Sequence, residues 1–467
     1  MERKYKRLLS NTAIIGLGTI ASKLIVFLLV PLYTACLSPA EYSSADIITQ
    51  SANLLMPIMA LGICETVFRY TLDQNLNRKC VLTTGFAVIL LGTIIILILF
   101  PLLNSFEYFD GYMWLIVLYT FAANIHSLFA QYVRARGMTT LFAVQGIIGT
   151  AVIVVLNILF LVVFKLSVIG YVLSTIISDF LVAAMLFWLV RLDYAIRPKY
   201  FNYWLMRDML RYSLPLIPTT VFWWIVNVSD RFMIKGMIGD DVNGIYSAAF
   251  KIPTILILLS GMFIEAWQFS AVTERDHSSR RAHAAFFGTV FDSFQGLMFI
   301  SAAGLIAFAK VISMIMFSKA YYEAWRYMPL LIMATVASSL VTFMGSVYLV
   351  DKKSVQSFVT SAVGAGSNII LNLIMIPTMG ANGAALATLL SYVIVFIIRA
   401  VNTRHFIWFD IHEKKLIANT IVIGFQAVFM IFELQGWIIV QIIGVFLILA
   451  MNFMPILRGV MKVLRKR

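Results

Sequence analysis

The chain has 467 residues, of which 61% are apolar and only 12% are charged. An ordinary soluble domain is nearer half apolar and a quarter charged, so this composition, with a mean hydropathy of +0.91, excludes a soluble enzyme and a disordered chain. Lipid tolerates only helices and closed barrels, and the apolar runs here last about 20 residues. The sequence therefore predicts an all-α polytopic membrane protein.

Apolar segments long enough to cross the hydrocarbon core follow one another along the whole chain. The first carries Lys23 and is too long for a signal sequence, so we expect an uncleaved span. The segment 310–325 is amphipathic and is expected at the membrane surface. About fourteen transmembrane helices are predicted, at 11–34, 43–68, 80–103, 112–133, 140–164, 166–190, 209–235, 243–270, 284–308, 327–350, 355–377, 381–399, 415–433 and 436–457.

The positions of Lys and Arg test this count. With both termini placed inside, the inside segments hold 28 of these residues and the outside ends hold 6, while Lys23 and Lys251 lie within spans. Cytoplasmic linkers are the basic ones in membrane proteins. The bias predicts fourteen spans with both termini cytoplasmic, and it explains the net charge of +14 without a nucleic-acid partner.

The two halves of the chain resemble each other. Tyr42 and Tyr246 each lie between the first and second spans of a six-span block. In the fifth and sixth spans the matching residues are 213 to 215 positions apart, namely Asn157 and Asn372, Gly170 and Gly383, and Ser178 and Ser391. Six spans are an even number, so both copies have one orientation, a transporter architecture. We expect two pseudo-symmetric six-helix lobes, 1–200 and 201–400, followed at 401–467 by two more helices and a basic cytoplasmic tail.

Polar residues inside the spans concentrate in four helices, the first two of each block. Burying a charge at the bilayer centre costs roughly 2.5–3.5 kcal/mol, so such residues are functional candidates. At helical spacing they form polar faces, which predict a shared water-filled cavity. The residues of these faces are Thr12, Gly16, Thr19 and Lys23; Asp46, Gln50, Asn53, Pro57 and Glu65; Thr220, Trp223, Asn227, Asp230 and Arg231; and Ser247, Lys251, Thr254, Gly261, Glu265 and Gln268.

Three cations are the candidates for binding substrate: Lys23, Arg231 and Lys251. The alternatives stay open, because Lys23 could pair with Glu65, Glu265 or Asp230 merely to hold helices together. Lys251 and Arg231 lie nearer the outer ends of their spans, where snorkelling competes. Cations and aromatic rings suit an anionic, amphipathic cargo, with phosphate as the favoured anion. The polar and aromatic lining would comprise Asn53, Trp223, Asn227, Asp230 and Gln268, with Trp224 and Trp267 as further aromatics.

Energy coupling is predicted at a carboxylate inside a span, Glu65 or Glu265, with H⁺ or Na⁺ as the ion. Glu65 is explained equally well by an ordinary i,i+4 pair with Arg69. His126 is expected to be a packed core residue. No nucleophile–base set, phosphate-binding loop or metal-spaced cysteine pattern occurs, so we expect no enzyme, no direct ATP driving, no metal and no other cofactor.

Several motifs resemble those of a known family. They are Leu17–Leu24, Leu29–Thr34 and Leu37–Tyr42 in the first half, and Tyr212–Pro218, Ser229–Arg231, Gly244–Tyr246 and Lys251–Pro253 in the second. These segments resemble the bacterial Wzx-type polysaccharide and oligosaccharide flippases. That family belongs to the polysaccharide transport branch of the multidrug/oligosaccharidyl-lipid/polysaccharide (MOP) superfamily.

The resemblance implies a fold like that of the MOP multidrug exporters, with two lobes around a cavity lined by helices 1, 2, 7 and 8. It also implies a function: translocation of undecaprenyl-pyrophosphate-linked oligosaccharide repeat units across the bacterial cytoplasmic membrane by alternating access, for surface polysaccharide biosynthesis. By position, Lys23, Arg231 and Lys251 would meet the pyrophosphate. The implied partners are this lipid-linked glycan, membrane lipids and the polysaccharide polymerase machinery.

Two other functions remain as alternatives. An ion-coupled multidrug or metabolite antiporter of the same superfamily would need an essential cavity carboxylate and a cationic cargo. The other alternative is a non-transporting membrane scaffold or a polysaccharide polymerase. A polymerase would carry a long outer loop with charged catalytic residues, and the sequence has no such loop.

Overall fold

A computed structural model describes residues 22–105, 107–109, 111–275, 280–350 and 354–465, with no side-chain description for 107, 265–266, 268–275, 280–283, 349–350, 354 and 454–465. Helices make up nearly all of this part of the chain, and it contains no β-strand. The predicted all-α class is therefore confirmed.

Seventeen helices, α1 to α17, are named here in chain order; short 3₁₀ turns join some of them. They are α1 Ser22–Cys36, α2 Pro39–Met59, α3 Ile63–Leu72, α4 Arg78–Asn104, α5 Met113–Ala135, α6 Thr139–Val163, α7 Ser167–Leu189, α8 Tyr203–Ser213, α9 Ile217–Met237, α10 Asp240–Ala249, α11 Thr254–Arg275, α12 Arg280–Ala307, α13 Ala309–Met316, α14 Met328–Val350, α15 Ser354–Thr403, α16 Glu413–Ile431 and α17 Trp437–Arg465.

Among the described residues, eight helices are long and apolar enough to cross a membrane, or ten when each bent pair counts as one span. The bent pairs are α2 with α3, at 51°, and α10 with α11, at 42°. The long helix α15 contains two predicted spans, separated by a kink at Gly380. The other predicted spans correspond to α1, α9 and α17, so a helix occupies each of the fourteen segments within the described residues.

The surface of α4 shows what surrounds the protein. Its central window has a mean hydropathy of 3.0, yet only 22% of that window is buried. Leu91, Ile94, Ile98 and Leu102 point outward, where water would make such an apolar face costly and hydrocarbon would not. The chain is a multi-pass membrane protein.

The described chain forms two compact units, Met1–Trp224 and Ile225–Arg467, whose boundary falls inside α9. The predicted lobe limits at 200 and 400 stay a prediction. In the first unit, Ser38 and Glu41 form a capping box that starts α2: the Glu41 N–H donates to Ser38 Oγ, and the Ser38 N–H donates to Glu41 Oε2 at 2.8 Å. Leu61 and Gly62 both have positive φ, which produces the bend into α3.

The ends of the first unit agree with the predicted alternation of linkers. Arg78, Arg136 and Arg191 come from three linkers predicted inside, and all three line one cavity at one end of the helices. At the other end of α7, Ser167 donates a hydrogen bond of 2.6 Å to Glu41, which lies in a linker predicted outside. Which end faces the cytoplasm stays a prediction.

The last two helices, α16 and α17, are joined to each other by buried amides. Asn419 and Asn452 donate reciprocally to each other's side-chain oxygen, at 3.2 and 2.8 Å. Gln426 and Gln441 donate reciprocally to each other's backbone carbonyl, at 3.1 and 2.8 Å. Such interhelical amide bonds hold helices together where apolar contact gives no advantage over lipid.

The amphipathic segment 310–325 forms α13 and a 3₁₀ turn at Lys319–Arg326, in which Tyr321 and Trp325 are buried against the protein. Its location at the membrane surface stays a prediction. Lys310 Nζ lies 4.3 Å from the ring centroid of Trp325 and 4.4 Å from that of Trp437, and it forms an ion pair with Glu433. Through these contacts Lys310 links the connection between α16 and α17 to the segment 310–325.

Close helix contacts recur at the spacing of the predicted repeat. A Cβ on Gly149 would lie 3.2 Å from Val182 Cγ2, and a Cβ on Gly364 would lie 2.9 Å from Val395 Cγ2. Gly170 likewise packs on Phe160, and Gly383 on Met375. Both of these pairs in the first unit therefore have a counterpart 213 or 215 residues later, as the pseudo-symmetric packing of the two halves requires.

Candidate functional site

Asp230, a predicted site residue, lies at the centre of a buried hydrogen-bond network in the second unit. Its side chain is fully buried, at 0% exposure. Oδ2 accepts from the Tyr246 hydroxyl at 2.5 Å and from Thr388 Oγ1 at 3.5 Å, and Oδ1 accepts from the Arg231 backbone N–H at 2.8 Å. These donors offset the cost of burying a carboxylate.

The network continues along α15. Ser229 Oγ donates to Asn368 Oδ1 at 2.9 Å, and Asn368 Nδ2 donates to Thr388 Oγ1 at 3.2 Å. Asn372 Nδ2 also donates to Asn368 Oδ1, at 3.0 Å. The atoms of this network that could bind a cation are thus the oxygens of one carboxylate and several neutral groups. Hard cations such as Na⁺ prefer oxygen ligands of this kind. Within the described residues, no three His, Cys, Asp or Glu side chains form a group that could hold a metal.

The other predicted residues of the second unit lie around this network. Asn227 accepts a 2.6 Å hydrogen bond from the Tyr392 hydroxyl. Arg231 is 4% exposed, and its guanidinium carbon lies 4.4 Å from the ring centroid of Phe250. Lys251 is partly buried at the bend between α10 and α11. The structure therefore brings Asn227, Asp230 and Arg231 into one buried region and leaves Lys251 at a break in a span.

In the first unit, the predicted residues are more exposed. Lys23 on α1 and Asn53 on α2 are exposed, and Trp223 is partly buried. Glu65 accepts a 3.1 Å hydrogen bond from Gln131 Nε2, while the guanidinium of Arg69 lies 4.4 Å from the ring centroid of Tyr212. The alternative ion pair between Glu65 and Arg69 is absent from the described contacts.

Some predicted residues cannot contribute to this description. The side chains of Glu265 and Gln268 lie outside the described part of the chain. Trp267 is described and is 3% exposed. It donates to Ser346 Oγ at 3.0 Å and stacks on Phe343 at 5.1 Å, so it belongs to the aromatic core of the second unit rather than to a cavity wall.

A second polar set, around His126, was not anticipated. His126 Nδ1 lies 2.7 Å from Asp179 Oδ1, and Nε2 lies 2.6 Å from Gln145 Oε1. The His126 and Asp179 side chains are 22% and 15% exposed, inside the membrane-spanning part of the first unit. Each ring nitrogen therefore lies within hydrogen-bond distance of a polar side chain, a carboxylate at Nδ1 and an amide at Nε2. His126 is therefore a polar site and not the packed core residue that the sequence suggested.

The signal for this set was weak because its members are far apart in the sequence. His126, Gln145 and Asp179 lie on α5, α6 and α7, three different and predominantly apolar spans. Only the helix packing brings them together. The chemistry they offer is proton exchange, since histidine changes charge within the physiological pH range.

The fold occurs in known transporters. It is similar to the solved structure of a lipid II flippase, MurJ, in an inward closed conformation, with 16% identity, a TM-score of 0.70 and coverage of 96% of this chain and 100% of that one. It is also similar to an inward-facing multidrug resistance MATE family transporter of the MOP superfamily, with 14% identity, a TM-score of 0.66 and coverage of 82% and 95%. At these identities the likeness concerns the fold, which is that of the MOP superfamily.

Sequence comparison gives the family. An uncharacterized membrane protein of Methanocaldococcus jannaschii is 26% identical over 192 residues, which are 41% of this chain and 44% of that protein, so the match spans less than half of its length. A family model described as "Polysaccharide biosynthesis protein" matches residues 8–267, more than half of the chain. The chain belongs to this polysaccharide biosynthesis protein family, within the MOP fold.

Proposed function

We propose that this protein is a flippase that moves undecaprenyl-pyrophosphate-linked oligosaccharide repeat units across the bacterial cytoplasmic membrane by alternating access, for surface polysaccharide biosynthesis. The observation that carries the proposal is the family match over residues 8–267. The fold supports it, since one of its structural relatives is a flippase of a lipid-linked substrate. Both termini would be cytoplasmic, and no enzymatic step belongs to this function.

The cations Lys23, Arg231 and Lys251 remain the proposed contacts of the pyrophosphate. Lys23 is exposed, which leaves its ammonium free to approach an anion. Arg231 is buried against Phe250, so it would have to leave this ring before it could bind a ligand. Lys251 lies at the bend between α10 and α11, where a change of the bend angle would move it. The polysaccharide polymerase machinery is a proposed partner.

Coupling to H⁺ or Na⁺ is proposed as the source of energy. Glu65 and Glu265 remain candidates, and two described carboxylates join them. Asp230 lies among neutral oxygens that suit Na⁺, and Asp179 lies against His126, which suits H⁺. A proton gradient and a sodium gradient imposed separately on proteoliposomes would distinguish these ions.

The test of the function is lipid movement in proteoliposomes. The purified protein is reconstituted with undecaprenyl-pyrophosphate-linked oligosaccharide, and glycan exposed on the outer leaflet is followed with a membrane-impermeant lectin. We expect time-dependent exposure with wild type, little exposure with Lys23→Ala or Lys251→Ala, and wild-type exposure with Lys165→Ala, a matched exposed lysine. Equal exposure in empty vesicles and wild-type vesicles would refute the flippase proposal.

The alternative is an ion-coupled multidrug or metabolite antiporter. The carboxylates inside spans, Asp179 and Asp230, favour this function over a passive scaffold. It predicts that deletion of the gene changes drug tolerance without accumulating lipid-linked oligosaccharide on the inner leaflet. Accumulation together with loss of surface polysaccharide would reject it.

A further inference from the structure

The basic cavity lined by Arg78, Arg136 and Arg191 at one end of the first unit has a volume of about 520 Å³ and lies apart from the candidate site residues. It is formed where the start of α4, the end of α5 and the segment after α7 meet. Four cations line it, Arg78, Lys79, Arg136 and Arg191, and no Asp or Glu is among its lining residues. Four positive charges around one cavity repel one another, so the arrangement suits a bound anion.

The helix geometry increases this positive potential. Arg78 and Lys79 occupy the first turn of α4, where the helix dipole already carries partial positive charge and where acidic residues are the stabilising choice. The nearest ion pair of Arg191 is with Asp193, at 3.9 Å between exposed side chains, which is a weak interaction. The basic first turn of α4 and the weak ion pair of Arg191 both leave positive charge uncompensated. Both would therefore favour a ligand with negative charge.

Aromatic rings hold three of these cations in position. The guanidinium of Arg136 lies 5.8 Å from the Tyr132 ring, that of Arg191 lies 4.8 Å from the Tyr194 ring, and Lys79 Nζ lies 5.4 Å from the Tyr200 ring. Cation–π contacts of this kind restrict long side chains without neutralising them. The charges around the cavity are thus partly organised before a ligand binds.

The surroundings of the cavity indicate that it lies at the membrane surface. Val190 and Arg191 line it, and the two residues before them, Trp188 and Leu189, end the spanning helix α7 with 70% and 62% of their surface exposed. Exposed Trp at the end of a span is typical of the level of lipid headgroups. A ligand with its phosphate among the cations could therefore keep its acyl chains beside Trp188 and Leu189.

We propose that this cavity binds the phosphate headgroup of an anionic membrane lipid. Arg and Lys are the side chains that bind phosphate oxygens, and basic pockets between spans are suited to anionic headgroups. The exposed apolar end of α7 favours a lipid over a soluble phosphate. This site is independent of the transported substrate, so it stands or falls separately from the flippase function.

The test is lipid retention by the purified full chain, measured by native mass spectrometry with phosphatidylglycerol added at increasing concentration. The test variant is Arg78→Gln/Arg136→Gln, and the matched control is Arg207→Gln/Arg211→Gln, which removes the same charge from α8, outside the cavity. Each cation near an anionic headgroup changes binding by about fivefold, so we expect a loss of roughly 25-fold for the test variant. The control should bind as wild type does.

A second arm adds inorganic pyrophosphate as the competitor. If the site is for lipid, pyrophosphate displaces phosphatidylglycerol only at a much higher concentration than the lipid itself. Undiminished binding by the test variant would overturn the proposal, as would an equal loss in the control. Equal competition by pyrophosphate would make the cavity a site for a free anion and overturn the lipid assignment. Melting temperatures of both variants check that neither is unfolded.

Discussion

The two units contain different buried polar sets within a shared helical packing. Asp179 in the first unit and Tyr392 in the second are 213 residues apart, so they occupy equivalent places in the repeat. Asp179 faces His126, whereas Tyr392 donates to Asn227. A carboxylate and an imidazole can exchange a proton near neutral pH, and a phenol and an amide cannot. The two halves therefore share their helix packing but differ in the buried polar groups at equivalent positions.

The largest effect is expected from Asp230→Ala, which tests the buried network around Asp230 in the second unit. The change leaves the buried Tyr246 hydroxyl without its acceptor and opens a small cavity, and we expect a loss of about 3 kcal/mol of stability. Thermal unfolding in detergent measures it. Asp230→Asn keeps an oxygen acceptor and is expected to lose about 1 kcal/mol. A stable Asp230→Asn variant that no longer transports would show that the charge itself is needed.

A smaller effect is expected from alanine at the repeated glycines, which tests whether the two halves are packed equally tightly. Gly364→Ala would bring a Cβ within 2.9 Å of Val395, and Gly149→Ala would bring one within 3.2 Å of Val182. We expect losses of about 2 kcal/mol for Gly364→Ala and about 1 kcal/mol for Gly149→Ala. Equal melting temperatures would mean that the second unit relaxes as readily as the first.

His126→Gln tests the chemistry of the polar set around His126 in the first unit. Glutamine retains hydrogen-bonding groups but cannot be protonated, so we expect a stability loss of only about 1 kcal/mol. If transport uses this set, the dependence of its rate on pH between about 5 and 8 should disappear. His405→Gln, an exposed histidine of the second unit, is the control and should keep the wild-type pH profile. If His126→Gln keeps the wild-type dependence of transport rate on pH, the two units do not differ in proton exchange as proposed.

The smallest effect on stability is expected from Glu433→Gln, which removes an exposed ion pair and serves as a reference for the changes at buried polar groups. The hydrogen bond from Lys310 and its positive charge lower the pKa of the Glu433 carboxyl. Because the folded pKa is below the unfolded one, the stabilisation is present above the unfolded pKa and is lost as the pH falls through the folded pKa. Wild type should lose melting temperature on acidification to about pH 3 slightly more than Glu433→Gln does. Identical acid profiles would contradict a contribution from this pair.

The sequence could predict the spans because hydropathy and linker charge are local properties. It placed α4 and α14 equally well, although α4 faces lipid and α14 is mostly buried. The bends at Leu61–Gly62 and at Lys251 were not predicted, since each lies inside a segment that is long and apolar enough on average to form one continuous span. The break before α9 was also missed, because α8 and α9 are joined by Leu214–Leu216, which reads as part of an apolar run.

The candidate site was harder to predict than the fold. Asn227, Asp230 and Arg231 are neighbours on one helix, so their spacing identified them. The partners of Asp230 come from other helices, with Tyr246 16 residues away and Thr388 158 residues away. Trp267 has the aromatic character of a cavity wall, but its helix turns it into the core. Which face of an apolar helix is buried depends on its neighbours, and a single sequence does not contain that information.

The reciprocal amide bonds of α16 and α17 have a consequence for how the protein is made. Either helix alone would carry unpaired amides into the hydrocarbon, Asn419 and Gln426 on one and Gln441 and Asn452 on the other. Entering the bilayer together, the two helices pair the amide N–H groups of all four side chains within one hairpin. A chain that ended after α16 would leave Asn419 and Gln426 without these partners in the hydrocarbon.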